Sequence, residues 1–87
     1  MAYTINLVGK VAELQAEALD EREFSALMEI YDVLRLVPHN GTKLKRDAQD
    51  DIAMRTLTHE GVEVIYFIVD SVVQVAVVRI NRLPSVV

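Results

Sequence analysis

The chain has 87 residues, which sets an expectation of one small domain spanning 1–87 that must form a compact core or lean on a partner. It has no cysteine, which excludes disulfides and thiolate metal sites and agrees with a cytoplasmic setting. Its net charge of −4 is uneven: residues 1–38 hold three basic and seven acidic groups and residues 39–87 hold six of each, so no strongly basic surface supports unaided, tight nucleic-acid binding.

In chain order, residues 2–7 alternate, with Tyr3, Ile5 and Leu7 against polar neighbours, and read as a short first strand. From Lys10 to Leu19, Val11, Leu14, Ala18 and Leu19 are spaced as one helical face, with Glu13, Gln15 and Glu17 on the other. Asp20 and Glu23 stand at capping-box spacing and open a second helix. Its stripe is Phe24, Leu27, Met28, Tyr31 and Leu34, widened by Ile30, Val33 and Val37, and Pro38 ends it. Two helices with almost no loop between them predict a helical hairpin.

Residues 38–50 have no periodicity and contain the turn signal Asn40-Gly41, which predicts a loop. Three strands follow, at about 52–58, 62–69 and 72–81. His59-Glu60-Gly61 and Asp70-Ser71 connect them. The apolar run from Val62 to Ile80 contains Glu63, Asp70, Gln74 and Arg79, so a membrane span is rejected. No basic stretch followed by an apolar run opens the chain, so no secretory leader is expected. The fold class expected is α+β, with an N-terminal strand and a helical hairpin packed on a twisted antiparallel sheet.

Taking Asp70-Ser71 as a two-residue turn pairs Val69 with Val72, Phe67 with Gln74, Ile65 with Ala76 and Glu63 with Val78. Val62, Val64, Tyr66, Ile68, Val73, Val75 and Val77, with Arg79 at the rim, then face the helices. The opposite face keeps Ile65, Phe67, Val69, Val72, Val78 and Ile80. A solvated sheet face normally turns polar, and this one does not. It is therefore the candidate partner-binding surface, for another protein or a second copy of the chain, the alternative being that the first strand or a C-terminal segment covers it within the monomer.

The order of strand, helix hairpin, basic loop and terminal meander resembles the RelE/ParE superfamily of toxins from type II toxin–antitoxin systems. The likeness rests on Ala2-Tyr3-Thr4-Ile5, on Val33-Leu34 with Pro38 after it, and on Lys43-Leu44-Lys45. Gly61-Val62-Glu63-Val64-Ile65-Tyr66, followed by Asp70 and a valine-rich strand, completes it. The resemblance implies a growth inhibitor that acts on translation, by metal-independent mRNA cleavage on the ribosome, or on DNA gyrase. It also implies an antitoxin that wraps the toxin or adds a strand to it. No cofactor is expected. By resemblance the catalytic candidates are Arg55, Arg82, Lys45 and Glu63, and Lys43, Lys45 and Arg46 form the nucleic-acid-binding loop. Glu63 stands where the family keeps arginine, Asn81 where related members often have histidine, and the family's terminal tyrosine is absent. A carboxylate beside a phosphodiester raises negative potential where cleavage needs it lowered. The second expectation is thus a non-catalytic RelE-like interaction protein that has lost the active-site arginine.

His39 and His59 read as exposed turn residues without carboxylates at ligand spacing. Asp47, Asp50 and Asp51 lack the EF-hand pattern and read as a solvated loop or a strand cap. They also neutralise much of the field of Lys43, Lys45 and Arg46, which serve equally well to bind phosphate, to meet an acidic partner, or to keep a loop soluble.

Overall fold

Asp20 and Glu23 form the capping box that their spacing predicts. The Glu23 N–H donates to Asp20 Oδ1 at 2.8 Å, and the Asp20 N–H donates to Glu23 Oε1 at 2.9 Å. Two of the helix's orphan donors are satisfied in this way. In the computed structural model, which describes residues 2–47, 49 and 53–84, the box opens α2 (Glu21–Leu36). It follows α1 (Gly9–Glu17) after a short corner. Pro38 begins a 3₁₀ turn over Pro38–Asn40. Among the described residues no helix is long and apolar enough to cross a membrane.

The strands are β1 (Thr4–Leu7), β2 (Thr42–Lys43), β3 (Arg55–His59), β4 (Val62–Val69) and β5 (Gln74–Arg82). They form one sheet in the order β1-β5-β4-β3-β2. No periodicity announces β2, whose two residues are held by pairing with β3. The sheet is mixed and not antiparallel throughout, because β1 joins the edge of β5 in parallel. Side-chain alternation fixes which face a strand shows and says nothing of its direction along an edge. Tyr3 N–H to the Arg35 carbonyl (2.7 Å) and Val8 N–H to the Val77 carbonyl (2.8 Å) fix the two ends of β1.

Both helices lie on one face of the sheet. Leu27, Ile30 and Leu34 of α2 pack with Val64, Tyr66, Val75 and Val77 in one core. In α1 the packed face differs from the one the spacing predicts. Ala12 is fully buried and Ala16 and Leu19 lie against the core, while Val11 and Leu14 are exposed. Small side chains let a helix approach β5 closely, and the bulkier valine and leucine turn outward. Phe24, Val33 and Val37 of the predicted α2 stripe are likewise exposed.

The β4–β5 connection is longer than a two-residue turn. Asp70–Val72 form a 3₁₀ turn and Val73 closes it in the left-handed region, at φ 53°. Val69 therefore pairs with Gln74, Ile68 with Val75 and Phe67 with Ala76. Farther along, the register shifts at Ile65/Tyr66, so that Ile65 pairs with Arg79 and Tyr66 with Val77, leaving Val78 as an extra residue. Glu63 then pairs with Asn81 in place of Val78. Beyond this bulge every side chain of β5 lies on the face opposite to the one strict alternation assigns.

Tyr66 ties the sheet to the segment after α2. Its hydroxyl donates to the Pro38 carbonyl at 2.5 Å, and burial pushes its pKa up. A Cβ on Gly41 would lie 2.1 Å from the Tyr66 hydroxyl oxygen and 3.0 Å from the Thr56 carbonyl oxygen, so this loop approaches the sheet closely only because residue 41 is glycine. Gly41→Ala is expected to lower stability by about 1–3 kcal/mol through overpacking. Tyr66→Phe in the same chain should restore part of that loss, as read by chemical denaturation.

Tyr31 is buried, and its hydroxyl has no hydrogen-bond partner among the described residues. Burial pushes its pKa up to about 12, against a smaller opposing effect of Arg35. The unfolded chain ionises this phenol near its ordinary value of about 10 and the native chain does not. Stability is therefore complete below that value and falls as pH rises toward about 12. Tyr31→Phe is expected to leave stability at neutral pH unchanged or slightly raised and to make the alkaline decline shallower. Tyr66, raised by burial, and Tyr3, raised by its hydrogen bond to Asp70, contribute in the same direction, and melting curves taken from neutral to alkaline pH in wild type and variant isolate the Tyr31 part.

Candidate functional site

The sheet's outer face, away from the helices, is built from alternate residues of β3, β4 and β5. Thr58, Glu63 and Asn81 stand side by side across the three strands, and Thr56, Ile65 and Arg79 form the next row. Thr56 Oγ1 donates to Glu63 Oε2 at 3.0 Å and Asn81 Nδ2 donates to Glu63 Oε1 at 3.0 Å. Both carboxylate oxygens are thus held by neutral donors, which fixes the group without neutralising its charge. Arg79 is exposed one row away. A positioned carboxylate and a nearby guanidinium can accept a proton and stabilise an anion, respectively.

The other catalytic candidates do not converge on Glu63. Arg55 is buried on the helix side, where its Nη1 donates to the carbonyls of Gly41 (3.0 Å) and His39 (3.3 Å). Arg82 also turns to the helices: it reaches Glu23 Oε1 through Nε at 2.9 Å and the Ala18 carbonyl through Nη2 at 2.6 Å. It meets Glu63 only as part of the lining of an open groove of about 430 Å³ around the free edge of β5, with Gln15, Leu19 and Asn81. In that groove the Ile80 N–H donates to Gln15 Oε1 at 2.7 Å, a side chain standing where a neighbouring strand would. Lys45 and Arg46 are exposed in the loop after β2, and Lys43 lies within β2 opposite Arg55. Asp50 and Asp51 lie outside the described residues.

Of the expected partner surface, Ile65, Phe67 and Val69 are half-buried on the outer face, and Val72 is exposed in the 3₁₀ turn. Val78 is the bulge residue and is half-buried. Ile80 does not belong to this surface, because the bulge turns it inward and it is 3% exposed in the core. The same bulge moves Arg79 from the expected helix-side rim to the outer face. Sequence reasoning missed Arg79 and Thr56 as neighbours of Glu63, and no residue signals the bulge in advance. It also missed the exposed apolar row of Val8, Val11 and Leu14 along α1.

This arrangement of two helices on a five-stranded mixed sheet is the α+β fold of RelE toxins. The chain is similar to the Mycobacterium tuberculosis RelBE2 toxin–antitoxin complex, at TM-score 0.77 and 20% identity over 94% of this chain and 99% of the other. It is similar to the archaeal RelE–RelB complex of Pyrococcus horikoshii OT3, at TM-score 0.76 and 16% identity over 99% and 100% of the two chains. The isolated Escherichia coli RelE toxin gives TM-score 0.75 and 19% identity over 98% and 88%. No protein-family model and no curated protein sequence matches the chain.

The two arginines on the helix side differ in burial, and this sets their expected effects. Arg55→Ala leaves buried carbonyls without their charged donor and should cost roughly 3 kcal/mol. Arg82→Ala breaks a half-exposed tie and should cost at most about 1 kcal/mol. Denaturation midpoints of the two variants measure the difference.

Proposed function

We propose that this chain is the toxin component of a type II toxin–antitoxin pair, held inactive by an antitoxin protein and inhibiting growth through translation or DNA gyrase. The observation that carries the reading is a fold shared over nearly the full length of both chains with RelE toxins, two of them solved together with a RelB partner. The half-exposed apolar strip of Ile65, Phe67 and Val69 and the exposed row on α1 offer an antitoxin apolar surface on both faces of the domain.

In the cleaving mode, Glu63 takes the proton from a ribose 2′-hydroxyl as that oxygen attacks the adjacent phosphorus; the P–O5′ bond breaks, leaving a 2′,3′-cyclic phosphate, and the departing 5′-oxygen takes a proton from water. Arg79 stabilises the charge gathering on the phosphate oxygens, and Lys45 and Arg46 of the loop after β2 hold the RNA backbone. Loss of a general base costs on the order of 10²–10⁴-fold in rate. A second reading, a non-catalytic interaction protein, draws on the two neutral hydrogen bonds that fix Glu63 and on a face that carries no excess of positive charge.

Expression of the chain alone is expected to arrest growth, with relief by Glu63→Gln or Arg79→Ala and by co-expression of the cognate antitoxin. Ribosome-associated mRNA ends identify action on translation, and gyrase-linked DNA breaks identify action on gyrase. Harmless accumulation of folded protein rejects the toxin reading in favour of the interaction protein.

A further inference from the structure

On the helix side of the sheet, away from Glu63, a residue of α2 meets the β3–β4 turn. His59 Nε2 is in direct contact with Glu29 Oε2. Glu60 joins them, and one donor atom from each of Glu29, His59 and Glu60 lies within 4.8 Å of the other two. Sequence spacing places His59 beside Glu60 only, because Glu29 arrives from 30 residues away through the packing of α2 on the sheet. Consecutive residues of an extended strand point to opposite faces. The left-handed backbone of Glu60, at φ 48°, ends that alternation and lets neighbouring residues offer donors to one point.

We propose that Glu29, His59 and Glu60 form a binding site for a divalent transition-metal cation, Zn²⁺ being the best match, that fastens α2 to the β3–β4 hairpin. One imidazole nitrogen and two carboxylate oxygens, with a water in the fourth position, make a tetrahedral zinc set. Calcium requires six to eight oxygen ligands, and an imidazole favours zinc, copper or nickel over magnesium. Two carboxylates balance the charge of the ion. The side chains of Glu29 and His59 are exposed enough to adjust, at 61% and 42%, so their direct contact can open to the roughly 3.4 Å that separates two tetrahedral ligands at ordinary zinc–ligand lengths of about 2.0–2.2 Å. Glu60 also lines an open cleft of about 490 Å³ with Asp20, Arg22, Glu23 and Gly61. A chain without cysteine would use such an ion as its cross-link between helix and sheet. The site does not depend on the toxin reading, since it shares no residue with the outer face.

Calorimetric titration of zinc sulfate into the metal-stripped full chain, alongside thermal melts, tests the site. One equivalent is expected to bind, with a melting temperature that rises with free zinc as linkage requires. His59→Gln, Glu29→Gln and Glu60→Gln should each weaken binding by about tenfold or more, and His39→Gln should leave it unchanged. Glu60→Gln alters an exposed turn and leaves the His59–Glu29 contact intact, so it separates a three-donor site from a simple ion pair. Absence of saturable binding, or zinc affinity that survives Glu60→Gln or His59→Gln, overturns the proposal.

Discussion

One extra residue in β5 decides which side chains can work together at the far end of the sheet. Val78 sits opposite the Ile65/Tyr66 step of β4, and from that point the strand's alternation is inverted. Ile80 enters the core, Arg82 reaches the helices, and Arg79 and Asn81 join Glu63 outside. Without the bulge, Arg82 would stand on the outer face and Arg79 beneath α1. The chemistry open to the outer face, a carboxylate with a guanidinium in the next row, follows from that inversion.

The same inversion lets the domain close where its sheet is incomplete. β1 covers β5 only from Gln74 to Val77, so among the described residues the rest of that edge has no strand beside it. Gln15 of α1 satisfies the Ile80 N–H, and Arg82 joins the Ala18 carbonyl to Glu23 of the capping box. Helix α1 reaches this edge because alanine faces the sheet. Its larger apolar side chains, Val11 and Leu14, are left in solvent.

Much of the fold is legible in the residues. The capping box, the proline stop and the alternation of residues 62–69 are local signals, and each element they mark is present. The direction of β1, the two-residue β2 and the helix face used by α1 are set by long-range packing, which periodicity does not report. The candidate site was legible at Glu63 and not at its neighbours. A bulge and a left-handed Val73 are backbone events, and a valine in the left-handed region is among the residue types least expected there. The approach of Glu29 to His59 is hidden for the same kind of reason, since it depends on how α2 lies across the sheet.

The placement of charge separates the faces more sharply than composition does. Outside, Glu63 is fixed by Thr56 and Asn81 with Arg79 exposed in the next row, and Lys45 and Arg46 are exposed in the loop after β2. Inside, Arg55 and Arg82 are engaged with backbone carbonyls and hold the loop and the helical corner in place. Two of the chain's guanidinium groups thus belong to the architecture. The outer face instead fixes a carboxylate in place by two hydrogen bonds and sets one exposed guanidinium, that of Arg79, in the row beside it.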